Sequence, residues 1–344
     1  MALSNDKPAV APASANPHAR PSREESVRAR LNEQRARLDE AMAKGNDPAR
    51  LEALLNEIDS ALGRIDAGTY GICEICKEPV EPEHLEADPF VRICLTHLSP
   101  DQQRAIERDL ELASRIQSGL LPAQQLRLHG WEVTHHYEPA GMVSGDYCDV
   151  ITGEHLAESF FLVGDASGKG VAASLLMSQM HAIFRTLLGS LPGLPDLFCR
   201  ANRLLTETTG SAHFATLVCA AVNGTGRVRL INAGHCPPLI VKGGQVEEGE
   251  STGLPLGLFY SADYDCRYVE LEKDDFLLFY TDGLTETRNP ADEEYGTERL
   301  KKLVKSGKDV PPGQLIDMIV RDLSAFRETS PRQDDLTIMI IKKI

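Results

Sequence analysis

The stretch Ser159-Phe160-Phe161-Leu162-Val163-Gly164-Asp165-Ala166-Ser167-Gly168-Lys169-Gly170 decides how the longer part of the chain is read. Ser159 to Val163 is an apolar run of strand length, and from Gly170 to Leu188 the apolar spacing turns helical. Between them stands an acid, Asp165, in a small, glycine-rich turn. Three more acids hold comparable places in Gly145-Asp146-Tyr147, Phe276-Leu277-Leu278-Phe279-Tyr280-Thr281-Asp282-Gly283 and Asp334-Asp335-Leu336-Thr337-Ile338. Asp165 and Asp282 follow apolar strands, and Asp334 precedes one. Antiparallel neighbours set a C-terminal end beside an N-terminal end, so three carboxylates are expected at one edge of the domain. Gathered carboxylates repel unless they are protonated or neutralised. Hard divalent cations, bound through oxygen, are the usual partners. Glycines beside Asp146, Asp165 and Asp282 would let backbone approach such ions. One Asp-Gly alone is ordinary turn chemistry, so the reading rests on the set.

Further strands are expected at Trp131 to Tyr137, Ala215 to Val222, Arg227 to Asn232, Leu239 to Val241, Arg267 to Glu270 and Leu336 to Ile341. Asn223-Gly224-Thr225-Gly226 makes a hairpin turn of the second and third. Helices are expected at Pro195 to Thr208 and Pro312 to Phe326. Strand runs broken by a few helices indicate an α+β layered domain with antiparallel sheets.

The N-terminal part reads differently. Residues 1–22 are rich in Pro, Ala, Ser and Asn and are expected to be a disordered tail. Ser22 with Glu25 forms a capping box. Val27, Leu31, Leu38 and Met42 follow at helical spacing. Gly45-Asn46-Asp47-Pro48 breaks the helix, and Leu51, Leu54, Leu55, Ile58, Leu62 and Ile65 make a second apolar stripe. The expectation is an antiparallel helical hairpin. Cys73-x2-Cys76, a 17-residue gap and Cys94-x2-His97 follow. Three thiolates and an imidazole in two knuckles suit one tetrahedral Zn²⁺, with no open position and hence a structural role. Pro100 to about Leu121 is a further helix, with Ile106, Leu110, Leu112, Ile116, Leu120 and Leu121 apolar and Pro122 as its stop.

Two resemblances join these parts. Ala61-Leu62-x-Arg64-Ile65-x-x-Gly68-x-Tyr70-Gly71-x-Cys73-x-x-Cys76, Leu85-x-Ala87-x-Pro89 and Cys94 resemble the zinc-finger region of DksA/TraR-type bacterial regulators, with His97 in place of the usual fourth Cys. The hairpin tip, Lys44-Gly45-Asn46-Asp47-Pro48, carries one acid where members that enter RNA polymerase carry several. Ile116-Gln117-x-x-Leu120-Leu121-Pro122, Tyr137-x-Pro139-Ala140, Gly145-Asp146-Tyr147-x-Asp149, Asp165-x-Ser167-Gly168-Lys169-Gly170, Ala233-Gly234-His235-x-Pro237-Pro238, Gly253-x-Pro255-Leu256-Gly257, Thr281-Asp282-Gly283-Leu284-x-Glu286 and Asp334-Asp335-x-Thr337 resemble PPM-type phosphatases of the RsbU/SpoIIE group. Ser144 stands where that group usually has Gly. The resemblance implies an antiparallel β-sandwich flanked by helices. It also implies metal-dependent hydrolysis of phosphoserine or phosphothreonine on a protein. Asp146, Asp165, Asp282 and Asp334 would be the catalytic ligands of two Mn²⁺ or Mg²⁺ ions, with Asp165 bridging. Ala166 would add its backbone oxygen, and Asp335 is a further candidate. The implied substrate is a phosphorylated STAS-domain anti-sigma-factor antagonist in a partner-switching pathway.

The resulting organisation is a tail (1–22), a helical hairpin with zinc finger (23–98), a linker helix (99–122) and a phosphatase domain (123–344). His235 sits in a turn, where a lone histidine is more often structural. Lys169 lacks the GxxxxGK[ST] context of a phosphate loop. The formal net charge of -15 disfavours nucleic acid and anionic membranes as partners. Eight cysteines without an export signal point to reduced thiols in a cytoplasm. The apolar positions of the 100–121 helix suggest a homodimer through the N-terminal helices. The rival from another class is a non-catalytic zinc-finger regulator that binds transcription machinery or a partner protein.

Overall fold

The computed structural model describes residues 27–344 except 30, 33, 37, 39–47, 82–83, 86–87, 154–157, 189–192 and 210–212. The expected tail, the capping box at Ser22 and Glu25, Met42, the break at Gly45-Asn46-Asp47 and Ala87 lie outside the described residues. The chain divides into two compact units, Met1–Ser99 and Pro100–Ile344.

In the first unit, the described residues of 27–38 include helical ones, and α1 spans Pro48–Asp66. Leu31 is buried with Ile58, Ala61 and Ile65 of α1. Ion pairs join Arg28 to Asp66 at 2.6 Å and Arg35 to Asp59 at 2.8 Å. Arg64 then donates to the carbonyls of Val91 and Phe90 at 2.8 and 3.1 Å, and Tyr70 Oη donates to Pro89 O at 3.1 Å. These bonds explain why Arg64, Tyr70 and Pro89 stand in the quoted motif: they tie the end of α1 to the segment before Cys94.

The second unit opens with α2 (Pro100–Ser118). This helix stops at Gly119, short of Leu120 and Leu121, which turn inward to two different apolar clusters. One sheet has six strands: β1 (Gln125–Leu128), β2 (Trp131–Glu138), β7 (Leu239–Lys242), β8 (Gln245–Glu248), β10 (Phe276–Tyr280) and β11 (Leu336–Lys343). Their order is β1-β2-β11-β10-β7-β8. The other has five, β3 (Asp146–Ile151), β4 (Ser159–Ala166), β5 (Ala215–Val222), β6 (Arg227–Ala233) and β9 (Arg267–Glu270), in chain order. Every named pairing is antiparallel.

Alternation along each strand builds the layers. In β4, Phe161 and Val163 meet Trp131, Phe279 and Met339 between the sheets. Phe160 and Leu162 face outward to Met177, Phe184 and Phe198 of α3 (Gly170–Leu187) and α4 (Leu194–Thr209). In β10, Leu277 and Phe279 point between the sheets. Phe276, Leu278 and Tyr280 meet Leu300, Leu315 and Ile319 of α6 (Thr297–Ser306) and α7 (Pro312–Arg327). A short helix, α5 (Asp282–Thr285), follows β10 directly. The result is a four-layer helix–sheet–sheet–helix sandwich, the α+β class expected. Strands covered on both faces have no reason to alternate with polar residues, hence their continuous apolar runs.

In this unit the expected strands and helices are present with small shifts at their ends. Among its described residues, five named elements were not expected: β1, β3, β8, α5 and α6. In β3 all six residues are buried, yet two are Asp, which hides the strand pattern. Asp149 is fully buried because Arg185 of α3 holds its carboxylate at 2.7 and 3.0 Å and Tyr147 Oη donates to it at 3.1 Å.

Candidate metal centre

The four expected aspartates come from two sheets and meet at one end of the sandwich. Asp146 opens β3 and lies directly across from Asp165 of β4. Asp282 begins α5 just beyond β10, and Asp334 lies just before β11, its neighbour. Beyond the end of that ladder, Thr281 N–H still donates to Thr337 O at 3.1 Å.

The sheets are stitched together at Asp146. The hydroxyls of Thr281 and Thr337 both donate to its Oδ2, at 2.9 and 2.5 Å. Thr337 N–H donates in turn to Thr281 Oγ1 at 2.9 Å. Both threonines are fully buried. Sequence reading passed over them, although each belongs to a motif that was quoted; a hydroxyl's partner cannot be read from its own strand. The Asp146 N–H donates to Ser144 Oγ at 3.0 Å, so the serine that replaces the usual glycine caps the turn before the acid.

Burial and mutual repulsion raise the pKa values of these acids. Burial lifts Asp146 well above the usual carboxylate range, and Asp165 adds to it. Burial first, then the charges of Asp282 and Asp334, push Asp165 up to about 7. Asp282 is raised by burial and by Asp334 and Glu286. Lys169 supplies positive charge: its Nζ donates to Asp334 Oδ2 at 3.0 Å and to Gln333 O at 2.8 Å. A clustered set of hard oxygen donors short of cationic charge fits divalent ions. Among the described residues, no three of these acids place carboxylate oxygens within 4.8 Å of one another.

Asp335 has different surroundings. Its two oxygens accept the N–H groups of Ala140 and Gly145 at 2.7 and 2.8 Å. Ala166 ends β4, and its carbonyl oxygen lies beside Gly145. A Cβ on Gly283 would stand 1.9 Å from Asp335 O. That glycine therefore serves close approach of a neighbouring backbone, where approach to an ion was the expectation.

Gln117, at the end of α2, was not singled out. It is buried, its Nε2 donates to Ser144 O at 2.7 Å, and its Oε1 accepts from Ser144 N at 2.9 Å. Gln117 was quoted only as part of a motif and given no role, because a polar residue on a linker helix reads as exposed. His235 shares a 2.8 Å hydrogen bond with Thr216 Oγ1, and Asn232 clasps its backbone at 2.7 and 3.0 Å. Gly234 beside it has φ +66, and a Cβ there would press on Pro255 at 2.7 Å. The turn is thus a packed structural corner. Two polar cavities of about 250 and 190 Å³ flank Asp334; Lys169, Glu286 and Arg288 line the first, and Arg327 and Arg332 the second.

In the first unit, Cys73, Cys76, Cys94 and His97 place one ligand atom each within 4.8 Å of one another, the one such cluster among the described residues. Cys76 and Cys94 Sγ are 3.8 Å apart, and Cys73 Sγ lies 3.9 Å from His97 Nδ1. Zn–S bonds of about 2.3 Å set tetrahedral S–S edges of about 3.8 Å, so the set fits the ion.

A helix-flanked antiparallel sandwich, with acids of both sheets at one end, is a PP2C-like (PPM) fold. Residues 157–343 match the model of stage II sporulation protein E, and the chain belongs to this SpoIIE family. Phosphoserine phosphatase RsbU of Bacillus subtilis is 25% identical over 70% of this chain and 72% of its own. Protein IcfG of Synechocystis is 26% identical over 68% of this chain, which spans only 41% of IcfG. Among solved structures, the SiaA PP2C domain of Pseudomonas aeruginosa superposes with a TM-score of 0.63 at 18% identity, covering 70% of this chain and 98% of that one. The PP2C domain of Bacillus subtilis SpoIIE gives 0.54 at 19%, covering 64% of each. Among the described residues, no helix is long and apolar enough to cross a membrane.

Proposed function

We propose that the protein is a cytoplasmic, metal-dependent phosphatase that removes phosphate from serine or threonine of a protein, a phosphorylated STAS-domain antagonist in partner-switching signalling. The observation that carries this is the meeting of Asp146, Asp165, Asp282 and Asp334 at the joined ends of two sheets. RsbU, a phosphoserine phosphatase by name, supports the substrate class.

Asp146, Asp165, Asp282 and Asp334, with the Ala166 carbonyl, would hold two Mn²⁺ or Mg²⁺ ions. Such ions lower the pKa of a shared water and stabilise charge in an in-line displacement. The chain's own contribution is positional. Thr281 and Thr337 both hold Oδ2 of Asp146, so its Oδ1 would be the oxygen offered to an ion. Lys169 places an ammonium beside Asp334. Burial pushes the nearby Cys236 thiol up to about 12 and Cys148 well above its usual value, so neither is poised as a thiolate.

For the first unit, we infer a helical hairpin of the DksA/TraR type with one structural Zn²⁺ on Cys73, Cys76, Cys94 and His97. The reversed order of the Arg28–Asp66 and Arg35–Asp59 pairs supports the hairpin. Exposed Leu112 and Ile116 on α2 support a homodimer through this helix and the N-terminal ones.

The test is hydrolysis of p-nitrophenyl phosphate with and without Mn²⁺. Wild type should require the metal, and Asp165→Asn should lose activity by at least about a hundredfold while its metal-free melting temperature does not fall, since carboxylate repulsion is relieved. Activity that persists in excess chelator would refute the reading. No turnover under any metal condition would favour the non-catalytic regulator.

A further inference from the structure

Asp335 adjoins the ligand position Asp334, and its carboxylate is aimed at backbone. Oδ1 accepts from Ala140 N–H at 2.7 Å and Oδ2 from Gly145 N–H at 2.8 Å. Those two amides bracket the loop 140–145 between β2 and β3, and Gly145 immediately precedes Asp146. The Asp335 N–H donates back to Asp334 Oδ1 at 3.0 Å. The Asp335 backbone is itself confined, with its carbonyl oxygen against Gly283. One dipeptide therefore touches two of the four acids from behind: Asp334 through its own amide, and Asp146 through the loop that leads into it.

We propose that Asp335 is a positioning residue and not a metal ligand. It latches the 140–145 loop so that Asp146 stands ready before any ion arrives. The inference rests on the metal-dependent reading of this site. Bonds from N–H groups to an ionised carboxylate are short and about twice as strong as neutral ones. The two amides need an acceptor on each oxygen and a side chain of this length. Asparagine would turn an NH₂ toward one of the N–H groups. Glutamate would carry the carboxylate one methylene too far. Partners behind the ligands of a metal site typically change its affinity 10–100-fold when removed.

The full chain, as purified, is titrated with MnCl₂ by calorimetry as wild type, Asp335→Asn, Asp335→Glu and Asp334→Asn. Wild type should bind two ions at the acidic cluster, and Asp334→Asn should lose one or bind it too weakly to detect. Asp335→Asn should keep two with affinity lower by about tenfold or more, and Asp335→Glu should not restore it. Amide hydrogen exchange of the metal-free protein is the second readout. Exchange across 140–145 should speed up in Asp335→Asn but not in Asp334→Asn, with melting temperatures matched. Loss of one ion with unchanged loop exchange would make Asp335 a ligand and overturn the proposal. Unchanged affinity and unchanged exchange would overturn it as well. If wild type neither bound Mn²⁺ nor hydrolysed p-nitrophenyl phosphate, the phosphatase reading would fail by itself, and the exchange readout would still decide whether the latch exists.

Discussion

His235 shows how burial sets the chemistry of a single side chain here. It is 6% exposed, and burial lowers its pKa from the usual 6.5 to about 4. The imidazole is therefore neutral at physiological pH and serves Thr216 as a hydrogen-bond partner, opposite Asp165 in the ladder. The folded state keeps it neutral, while the unfolded chain takes up a proton below pH 6.5. Its contribution to stability is thus complete above pH 6.5 and is lost as pH falls toward 4, by up to about 3 kcal/mol. Urea unfolding of wild type and His235→Gln at pH 7 and pH 4.5 measures this. The variant should show the shallower acid loss, and equal slopes would contradict the buried neutral state. The sequence suggested a structural role for this histidine, but only the fold supplies the threonine that it meets.

Elements behave less uniformly than residues. The long apolar strands, β4, β5 and β10, stand where their runs of Phe, Leu, Val and Ala put them, because nothing else in the chain satisfies such runs. Strand β3 escaped notice for the opposite reason: Asp146 and Asp149 break its apolar pattern, and each needs partners from other elements, Thr281 and Thr337 for the one and Arg185 for the other. Helix α2 is the informative case. Its apolar residues were expected to seek a partner, yet Leu112 and Ile116 are 51% and 59% exposed, and the buried residue is Gln117. The helix thus holds Ser144 with an amide and keeps an apolar face outward. If that face joins two copies of the chain, Ile116→Glu should shift sedimentation from dimer toward monomer. Surface changes of this kind cost the fold itself no more than about 0.5 kcal/mol. A dimer that persisted, or a wild type that was monomeric, would rule that interface out.

On the scale of the molecule, the two units answer different folding problems. The second buries three apolar clusters, one between the sheets and one under each helical layer. Among the described residues of the first, the clusters are small, around Leu31 and around Cys73, Val80 and Cys94. A cluster so small needs a further staple, and a structural ion's binding energy is largely folding energy. Freshly purified protein should therefore contain one zinc per chain by elemental analysis. Cys76→Ser should lose that zinc and melt the first unit, with Mn²⁺-dependent hydrolysis by the second retained. A zinc-free protein whose first unit melts normally would remove the metal from the account.

The amino-acid sequence by itself determined the class of fold and the acids of the site. Apolar strand runs, knuckle spacing and Asp-Gly turns are local, and local pattern survives in one dimension. What the tertiary structure alone decided is how those acids are held. Thr281 and Thr337 reach Asp146 from the opposite sheet, Gln117 reaches Ser144 from a helix 27 positions earlier, and Asp335 reaches Ala140 and Gly145 across nearly the whole domain. A hydrogen bond has no signature in the sequence around its donor when its acceptor is supplied by another layer. The acids were therefore legible, and the groups that orient them became visible only once the two sheets were packed together.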